Sequence, residues 1–284
     1  MEVIVTGANG QLGQDLIQVM SGKGMHIHGF GRKELDVSDL DAAQRMVRRI
    51  QPDVIIHAAA YTNVDQAEAE CDEAYRVNAI GSRNMAIAAE EAGAKLCYIS
   101  TDYVFDGHAS APYQEEAQTN PLSVYGKSKL AGEEMVKAHC SRSFVVRTSW
   151  VYGQHGHNFV KTMLRLAEER KEVKVVDDQI GSPTYTVHLA RFIAELVRTE
   201  KYGIYHASNN GACSWYEFAK AIFAEAGLEE IRVTPIQTKD FPRPAPRPKY
   251  SVLDHTSIRA NGFTDLPHWR EGLREYFAEE SSFH

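Results

Sequence analysis

The sequence predicts an α/β protein with a Rossmann-type, doubly wound parallel sheet and a smaller C-terminal α/β substrate lobe. Three observations support this fold class. Short β-branched runs alternate with helical patterns through the first half of the chain, the runs are evenly apolar, and a glycine triplet separates the first strand from the first helix. Such alternation indicates βαβ crossovers, and evenly apolar strands suit a parallel sheet that is covered on both faces.

Five strands are predicted in the first half, separated by amphipathic helices. The strands are expected at residues 2–6, 25–30, 53–59, 95–100 and 144–148. The helices are expected at residues 11–20, 38–50, 73–93 and about 123–138. Ser38 is the expected N-cap of the second helix, and Gly93 is the expected C′ residue of the third.

The pattern changes after about residue 150, where helices are predicted at 158–170, 187–198 and 214–227, with one more strand at 203–208. Ser214 and Gly227 are the expected caps of the last helix. The segment F-P-R-P-A-P-R-P-K-Y (241–250) has too many prolines for a helix or a central strand. We expect a dinucleotide-binding domain at 1–150 that also receives 185–208, and an interwoven, mostly substrate-binding lobe at 151–284.

Composition and charge narrow the possible partners. The 284 residues are 43% apolar and 24% charged, with a formal net charge of −7. An acidic protein has no general attraction for phosphate backbones or anionic lipid, so neither nucleic acid nor a membrane is an expected partner. The four cysteines lie far apart, which suits free thiols in a reducing compartment. With no leader pattern and no long apolar run, we expect a cytoplasmic protein.

The turn T-G-A-N-G-Q-L-G after the first strand is typical of a dinucleotide-binding site. Gly7 allows the tight turn, Gly10 lets a pyrophosphate approach the backbone, and Gly13 permits close packing of helix on strand. The helix that starts here directs its free N–H groups at the phosphates. The predicted contacts of this turn are Gly7, Asn9, Gly10, Gln11, Leu12 and Gly13. The alternative is a purely structural βα turn.

The second strand is expected to end beside the adenosine ribose. Because Arg32 and Lys33 precede Glu34 in G-F-G-R-K-E, a 2′-phosphate is favoured, and we expect NADPH, with NADH possible. In the alternative interpretation Arg32 is only a solvated loop charge. The other residues expected along the cofactor are Asp36 and Val37 beside the adenine, and Ala59, Ala60 and Thr62 where the chain has small side chains.

A Thr–Tyr–Lys set is predicted at the carboxyl end of the fourth strand, where ligands of such sheets bind. Thr101 and Asp102 follow that strand, and Tyr125 and Lys129 lie one turn apart on a helix. A neighbouring ammonium is expected to lower the pKa of Tyr125, and the Thr101 hydroxyl to orient its ring. Tyr125 would then give a proton to a carbonyl oxygen whose carbon receives hydride from the nicotinamide. The alternative is an exposed Tyr–Lys pair with no chemical role.

Longer blocks of sequence surround these residues. They are S-T-D-Y-V-F-D-G (100–107), Y-G-K-S-K-L-A-G-E (125–133), R-T-S-W-V-Y-G (147–153), D-D-Q-I-G-S-P-T (177–184) and R-P-A-P-R-P-K-Y-S-V-L-D (243–254). From residue 1 to about 275 the chain resembles the extended short-chain dehydrogenase/reductases, which act largely on nucleotide sugars. The resemblance implies reduction of the C4 ketone of dTDP-4-dehydro-L-rhamnose to dTDP-L-rhamnose by NADPH or NADH.

Carried over onto this sequence, the resemblance makes Tyr125 the proton donor, Lys129 its partner and Thr101 the hydroxyl that tunes it. Asp102 and Trp150 would contact the sugar of a dTDP-linked deoxysugar, although Trp150 also suits an ordinary core. Arg247, between two prolines, is a candidate for the substrate diphosphate, because a guanidinium binds phosphate oxygens in a bidentate manner. Arg243 is a second candidate, or an exposed charge.

No metal site is expected. His155 and His157 form H-G-H without a carboxylate or thiolate at ligand spacing, so a loop is the preferred interpretation. Some relatives form dimers bridged by Mg²⁺ through acidic side chains. Asp15 matches one such ligand, but the region around Val187 and His188 lacks an acidic pair, so we expect a monomer or a weak homodimer.

Three rival functions share this fold. A nucleotide-sugar 4,6-dehydratase would carry Thr-Asp-Glu at the strand end, where this chain has Tyr103 in the third position. A 4-epimerase would retain NAD, which Arg32 disfavours. A non-catalytic regulatory subunit would have no chemical need for an intact Thr101–Tyr125–Lys129 set.

Overall fold

The computed structural model describes residues 1–281, so residues 282–284 of the predicted C-terminal lobe lie outside the described part. Its strands are β1 (Glu2–Thr6), β2 (His26–Phe30), β3 (Val54–His57), β4 (Lys95–Thr101), β5 (Ser143–Thr148), β6 (Val151–Tyr152), β7 (Glu172–Val176), β8 (Ile180–Gly181), β9 (Thr184–Tyr185), β10 (Gly203–His206), β11 (Cys213–Ser214) and β12 (Arg232–Ile236). Its α-helices are α1 (Gln11–Ser21), α2 (Leu40–Ile50), α3 (Val64–Ala67), α4 (Cys71–Tyr75), α5 (Gly81–Ala92), α6 (Val124–His139), α7 (Phe159–Glu169), α8 (Thr186–Leu196), α9 (Trp215–Glu225), α10 (Thr256–Ala260) and α11 (Trp269–Ser281).

Six parallel strands form the central sheet, in the order β10-β5-β4-β3-β1-β2. The chain starts in the middle of the sheet at β1, moves outward to β2, and then returns to build the other half from β3 to β10. This reversal of direction beside β1 is the topological switch point of a doubly wound sheet, where ligands bind at the carboxyl ends of the strands. The predicted fold class is confirmed.

Helices cover both faces of this sheet. On one face α1 and α8 pack together over Val3 and Val5. On the other face α2, α5 and α6 cover Ile4, whose side chain points the opposite way because side chains alternate along a strand. Although α8 and β10 follow residue 150 in the chain, they complete the central sheet and its covering layer.

The remaining C-terminal segments build a smaller lobe. Two-stranded pairs β6–β9, β8–β11 and β7–β12 support helices α7, α9 and α11. The lobe has its own aromatic core, in which Tyr152, Phe218, Trp269 and Tyr276 are buried and pack edge to face or at a tilt. Among the described residues, no helix combines the length and apolar character needed to cross a bilayer.

One local prediction is wrong. Asp39, not Ser38, caps α2, because its carboxylate accepts from the Ala42 N–H, while Ser38 instead donates to Asp36. The helix predicted over residues 73–93 is present but is not α-helical throughout, since a π-helical segment, Arg76–Ile80, lies between α4 and α5. The other predicted caps agree with the structure: Gly93 is left-handed at φ 66°, and Ser214 forms a capping box with Glu217.

Candidate active site

The glycine turn connects β1 to α1 at the switch point of the sheet. Gly7 has φ +69°, which only glycine adopts freely, and a Cβ there would lie 2.7 Å from the Ala59 nitrogen. Gly10 caps α1 without any side-chain hydrogen bond, so the first N–H groups of the helix remain available to a ligand. A Cβ on Gly13 would overlap the Gly7 carbonyl. The turn therefore fits a pyrophosphate at the start of α1.

The other predicted residues of this turn have different surroundings. The Leu12 side chain is buried in the core beneath α1, so only its backbone faces the turn. The Gln11 amide oxygen accepts from Asn158, a residue of the loop between β6 and α7. The Asn9 carbonyl accepts from Gln14, and the Asn9 amide lies against the Gly31 backbone. Each can thus help to shape the turn around a ligand.

A pocket of about 170 Å³ lies beside the turn, at the ends of β1 and β2. Five of its lining residues are predicted cofactor contacts besides Gly7: Arg32, Asp36, Val37, Ala59 and Ala60. Thr62 is not among the lining residues, whereas Gly31, Leu35, Tyr61 and Val77, which the sequence did not single out, are. Size and position suit the adenosine half of a dinucleotide.

The charged side chains at the pocket entrance form ion pairs with neighbouring residues. The Arg32 side chain is 78% exposed and contacts Glu73 at 3.0 Å. The Asp36 carboxylate accepts from the Ser38 hydroxyl and from Arg76, and these contacts lower its pKa. Because Arg32 is exposed at the mouth of the pocket, it is free to swing toward a 2′-phosphate.

Thr101 and Tyr125 meet where β4 ends and α6 begins. The Thr101 hydroxyl accepts from the Tyr103 N–H at 3.2 Å and donates to the Asp102 carboxylate at 3.0 Å. Tyr125 is in the first turn of α6, which Ser123 caps, and its ring lies edge-on to that of Tyr103 at 5.5 Å. The strand end and the helix start therefore hold the two hydroxyls in one place.

The protonation of Tyr125 differs from the sequence-based expectation of a lowered pKa. Burial raises the pKa of Tyr125 to about 12, the Asp102 carboxylate also raises it, and a hydrogen bond with Thr101 opposes them. The expected lowering by Lys129 is absent because that ammonium is itself desolvated: burial lowers the pKa of Lys129 to about 7, against the opposing charge of Glu133. Tyr125 is thus a fully protonated phenol at neutral pH.

Lys129 is buried beneath the site rather than exposed on a helix face. Its ammonium donates to the Ile99 carbonyl at 2.6 Å and lies 4.1 Å from the centre of the Tyr98 ring. One turn further along α6, Glu133 is fully buried and accepts from Ser100 and Arg147. The alternative of a pair exposed on a helix face is therefore wrong, since Lys129 is buried and Tyr125 is half-buried.

Asn78 is a residue of the site that the sequence analysis missed. Its buried amide accepts from the Tyr61 N–H and donates to the Tyr61 carbonyl and the Ser128 hydroxyl. It therefore joins the wall of the adenosine pocket to the helix that carries Tyr125. An asparagine between Val77 and Ala79, in what the structure shows to be the π-helical segment, was the available signal.

Asp102 has a chemistry suited to a sugar hydroxyl. Its side chain is 2% exposed, and burial raises its pKa to about 6. One carboxylate oxygen accepts from Thr101, and the other has no hydrogen-bond partner among the described residues. A buried oxygen without a partner favours a ligand that donates to it.

Trp150 and Arg247 are each held by a specific side chain, Trp150 by Trp215 and Arg247 by Asp65. Trp150 has a left-handed backbone, φ 47°, and its ring stacks on Trp215 with 3.5 Å between centroids. Arg247 contacts the Asp65 carboxylate at 2.5 Å, and Arg243 contacts the same carboxylate at 2.7 Å. The proline-rich segment is thus tied to α3, with both guanidiniums sharing one counter-ion.

His155 and His157 lie in the loop between β6 and α7. His155 is 3.7 Å from Asp15, whose side chain is almost fully buried and whose pKa is raised by that burial. No third metal-ligating side chain joins this pair within the described residues. The loop instead contacts the phosphate turn, since Gly156 lies against the Gln11 side chain.

The glycine turn after β1 fits a pyrophosphate, and the threonine–tyrosine–lysine set lies at the same edge of the sheet, at the end of β4. Together they define a dinucleotide-dependent enzyme of the short-chain dehydrogenase/reductase class. Within that class the chain belongs to the family described as RmlD substrate binding domain, whose model matches residues 1–282. The resemblance predicted from the sequence is thereby confirmed.

Relatives with known names cover almost the whole chain. A spore coat polysaccharide biosynthesis protein, SpsK, of Bacillus subtilis is 46% identical over 99% of this chain and 98% of its own. A dTDP-4-dehydrorhamnose reductase of Aggregatibacter actinomycetemcomitans is 41% identical over 96% and 97%, respectively. A crystal structure of dTDP-4-dehydrorhamnose reductase from Bacillus anthracis in complex with NADP is 51% identical, with a TM-score of 0.96 over 98% of this chain and 99% of that one.

Proposed function

We propose that this protein reduces the C4 ketone of dTDP-4-dehydro-L-rhamnose to dTDP-L-rhamnose. The observation that carries the proposal is its 51% identity, at a TM-score of 0.96, to a dTDP-4-dehydrorhamnose reductase in complex with NADP. It is supported by the buried Thr101 and Lys129 and the half-buried Tyr125 at the carboxyl end of β4. NADPH is the proposed coenzyme, with NADH as a possible substitute. Its role when bound is to supply the hydride that a ketone carbon accepts.

Tyr125 is proposed to protonate the carbonyl oxygen. A proton donor must carry its proton at the working pH, and a pKa of about 12 keeps the phenol protonated throughout the neutral range. Donation leaves a phenolate, which the Thr101 hydroxyl stabilises when its one proton turns from the Asp102 carboxylate to the phenolate oxygen. Tyr125 therefore carries the proton that reduction of a ketone needs, whereas the phenolate that would abstract a proton is scarce at neutral pH.

Lys129 is proposed to be the positive charge next to the reaction. With a pKa of about 7 it is close to half-protonated at neutral pH, so small changes in its surroundings decide its charge. Glu133 favours the charged form, and so does the contact with the Ile99 carbonyl. A developing phenolate on Tyr125 would favour it further.

The sugar and its diphosphate are proposed to contact residues from both lobes. Asp102 offers its unpartnered oxygen to a sugar hydroxyl, and Trp150 offers one ring edge beside it, since one face is covered by Trp215. Arg247 is proposed to bind the diphosphate, and its pairing with Asp65 keeps it ordered before substrate arrives. Arg243 shares that carboxylate and is a second candidate.

The rival functions fit the site less well. A dehydratase needs a general base where Tyr103 stands, but burial raises the pKa of Tyr103, so its phenol stays protonated at neutral pH and has no free form to accept a proton. A regulatory subunit would have no use for buried, desolvated Lys129 and Tyr125 side chains. We also propose a cytoplasmic location and a monomer or weak homodimer, without nucleic acid or membrane partners.

Loss of NADPH absorbance with dTDP-4-dehydro-L-rhamnose generated in situ tests the proposal. Tyr125→Phe is expected to reduce kcat by at least about a hundredfold, because general acid catalysis contributes about 10²–10⁴-fold, while the Kd for NADPH changes little. Tyr103→Phe, a neighbouring tyrosine with an edge-on ring, is the matched control and should retain most activity. More than a tenth of wild-type kcat in Tyr125→Phe would exclude Tyr125 as the donor.

A further inference from the structure

A cluster of metal-ligating side chains lies at the edge of the central sheet, at its opposite end from the coenzyme site. It consists of Glu2 at the start of β1 and His26 and His28 on β2. β2 is the edge strand, and the glycine turn and pocket are at the carboxyl ends of these strands. Both histidines lie within the strand predicted at residues 25–30, and no metal site was expected from the sequence.

Strand geometry brings the three side chains together. His26 and His28 are two residues apart, so they point to the same face of the sheet. In the parallel register Glu2 pairs with His26, which puts the Glu2 side chain on that face as well. The ligand atoms of the three residues all lie within 4.8 Å of one another.

The carboxylate is already directed at both imidazoles. Glu2 Oε2 is 2.9 Å from His26 Nδ1 and 2.7 Å from His28 Nε2. The Glu2 backbone is fixed in turn, since its N–H donates to the Asp53 carboxylate at 2.7 Å and its carbonyl accepts from the Asp53 N–H at 2.9 Å. A rigid strand pair therefore holds the carboxylate in place.

We infer that Glu2, His26 and His28 bind a divalent transition-metal ion, Zn²⁺ for the test below, as a clip between edge strand β2 and strand β1. Two imidazoles and a carboxylate are a ligand set that Zn²⁺ accepts, at about 2.0–2.2 Å from each. Tetrahedral ligands at that radius are about 3.3 Å apart. Each nitrogen–oxygen separation would therefore open by about half an ångström, and the separation of the two imidazole nitrogens, at most 4.8 Å, would close toward the same value. Water would complete the coordination, because His26 and Glu2 are solvent-exposed at their tips.

The ion's proposed effect is on the sheet edge and not on the reaction. An edge strand has one side without a partner, and β2 depends on β1 alone for its pairing. Coordination of one ion by Glu2 on β1 and by both histidines on β2 adds a second link between the two strands. The ion binds the folded chain more tightly than the unfolded one, since Glu2 is 24 residues from His26 in the sequence and meets it only in the folded sheet, and so it stabilises the fold.

The test uses untagged protein, because a histidine tag would bind the same ions. Titration calorimetry with ZnCl₂ is expected to give one site per chain, and Co²⁺ is expected to develop visible absorption bands that Zn²⁺ removes. At a hundredfold excess of free Zn²⁺ over its Kd, the Tm should rise by about 5 °C.

His26→Ala, His28→Ala and Glu2→Gln should each weaken Zn²⁺ binding by more than about tenfold, since even the loss of a second-shell partner costs 10–100-fold. His108→Ala is the matched control: its side chain is 74% exposed beside Asp106, against 72% for His26 beside Glu2. It should leave binding unchanged. Activity in the presence of a chelator should be equal in all four variants and the wild type.

Two outcomes would overturn the inference. In one, wild-type protein takes up no Zn²⁺ up to millimolar free ion, and the cluster is only a set of histidine–carboxylate contacts. In the other, the three ligand variants bind Zn²⁺ as tightly as wild type, and the ion occupies a different place.

Discussion

Arg147→Met tests how much the buried ion pair beneath Lys129 contributes to stability. Arg147 Nε donates to one Glu133 oxygen at 2.9 Å and Nη2 to the other at 2.7 Å. The two side chains are 3% and 0% exposed. Arg147 also donates to the Glu115 carbonyl at 3.2 Å, so it joins α6 and β5 to the loop before α6.

The expected cost follows from what the substitution leaves behind. At the observed separation of 2.7 Å the gross attraction is about 6 kcal/mol with an effective dielectric constant of about 20. Much of this offsets the desolvation of the two charges. Removing Arg147 leaves the Glu133 carboxylate buried with Ser100 as its remaining donor, at 2.6 Å. We expect a loss of about 3–5 kcal/mol in the free energy of unfolding.

Urea unfolding at pH 7, followed by circular dichroism and tryptophan fluorescence, measures this loss. The double variant Glu133→Gln/Arg147→Met is the control, because it removes both charges and should be less destabilised than Arg147→Met alone. A loss below about 1 kcal/mol in Arg147→Met would refute the reasoning. So would a double variant as unstable as the sum of the two single ones.

Three further predictions follow from single side chains. Gly132→Ala should cost about 1–3 kcal/mol of stability in urea unfolding, because the new Cβ would overlap the Asn78 carbonyl. Gly22→Ala is the control and should cost less, because no atom lies within 3.4 Å of its new Cβ. Equal losses in the two variants would contradict the overlap as the cause. The pKa of Asp102 is raised to about 6, against 3.8 in the unfolded chain, so the folded chain binds this proton more tightly. The free energy of unfolding should therefore fall by up to about 3 kcal/mol as the pH rises through that interval. Asp102→Asn should remove that loss, and an unchanged difference between pH 4 and pH 7 would argue against it. Arg32→Ala should raise the Kd of NADPH about tenfold or more and change that of NADH little; equal changes would exclude a 2′-phosphate contact.

The sequence determined the architecture because its signals are local. Each of the six sheet strands is a short apolar run with its own turn signals, and every one is present in the structure within about three residues of its predicted bounds. The exceptions depend on competition between neighbours. Asp39 is the N-cap in place of Ser38 because the Ser38 hydroxyl donates to Asp36. The π-helical segment was missed because no residue propensity predicts one.

The residues that form the site could also be predicted from the sequence. Glycine spacing and the i, i+4 relation of Tyr125 and Lys129 follow from backbone geometry, which the residue order alone specifies. Tertiary structure decided their environment. Burial depends on segments far apart in the chain, such as the Asn78 amide that links Tyr61 to Ser128.

Protonation is the property that only the folded protein decided. Residue order places an ammonium one turn from a phenol and suggests that the phenol becomes more acidic. In the fold the same two groups are removed from water, and desolvation shifts the pKa of each more than their mutual electrostatic interaction does. The pKa of Tyr125 therefore rises and that of Lys129 falls. The electrostatic free energy of a charge depends on everything that surrounds it in space, which a linear sequence does not contain.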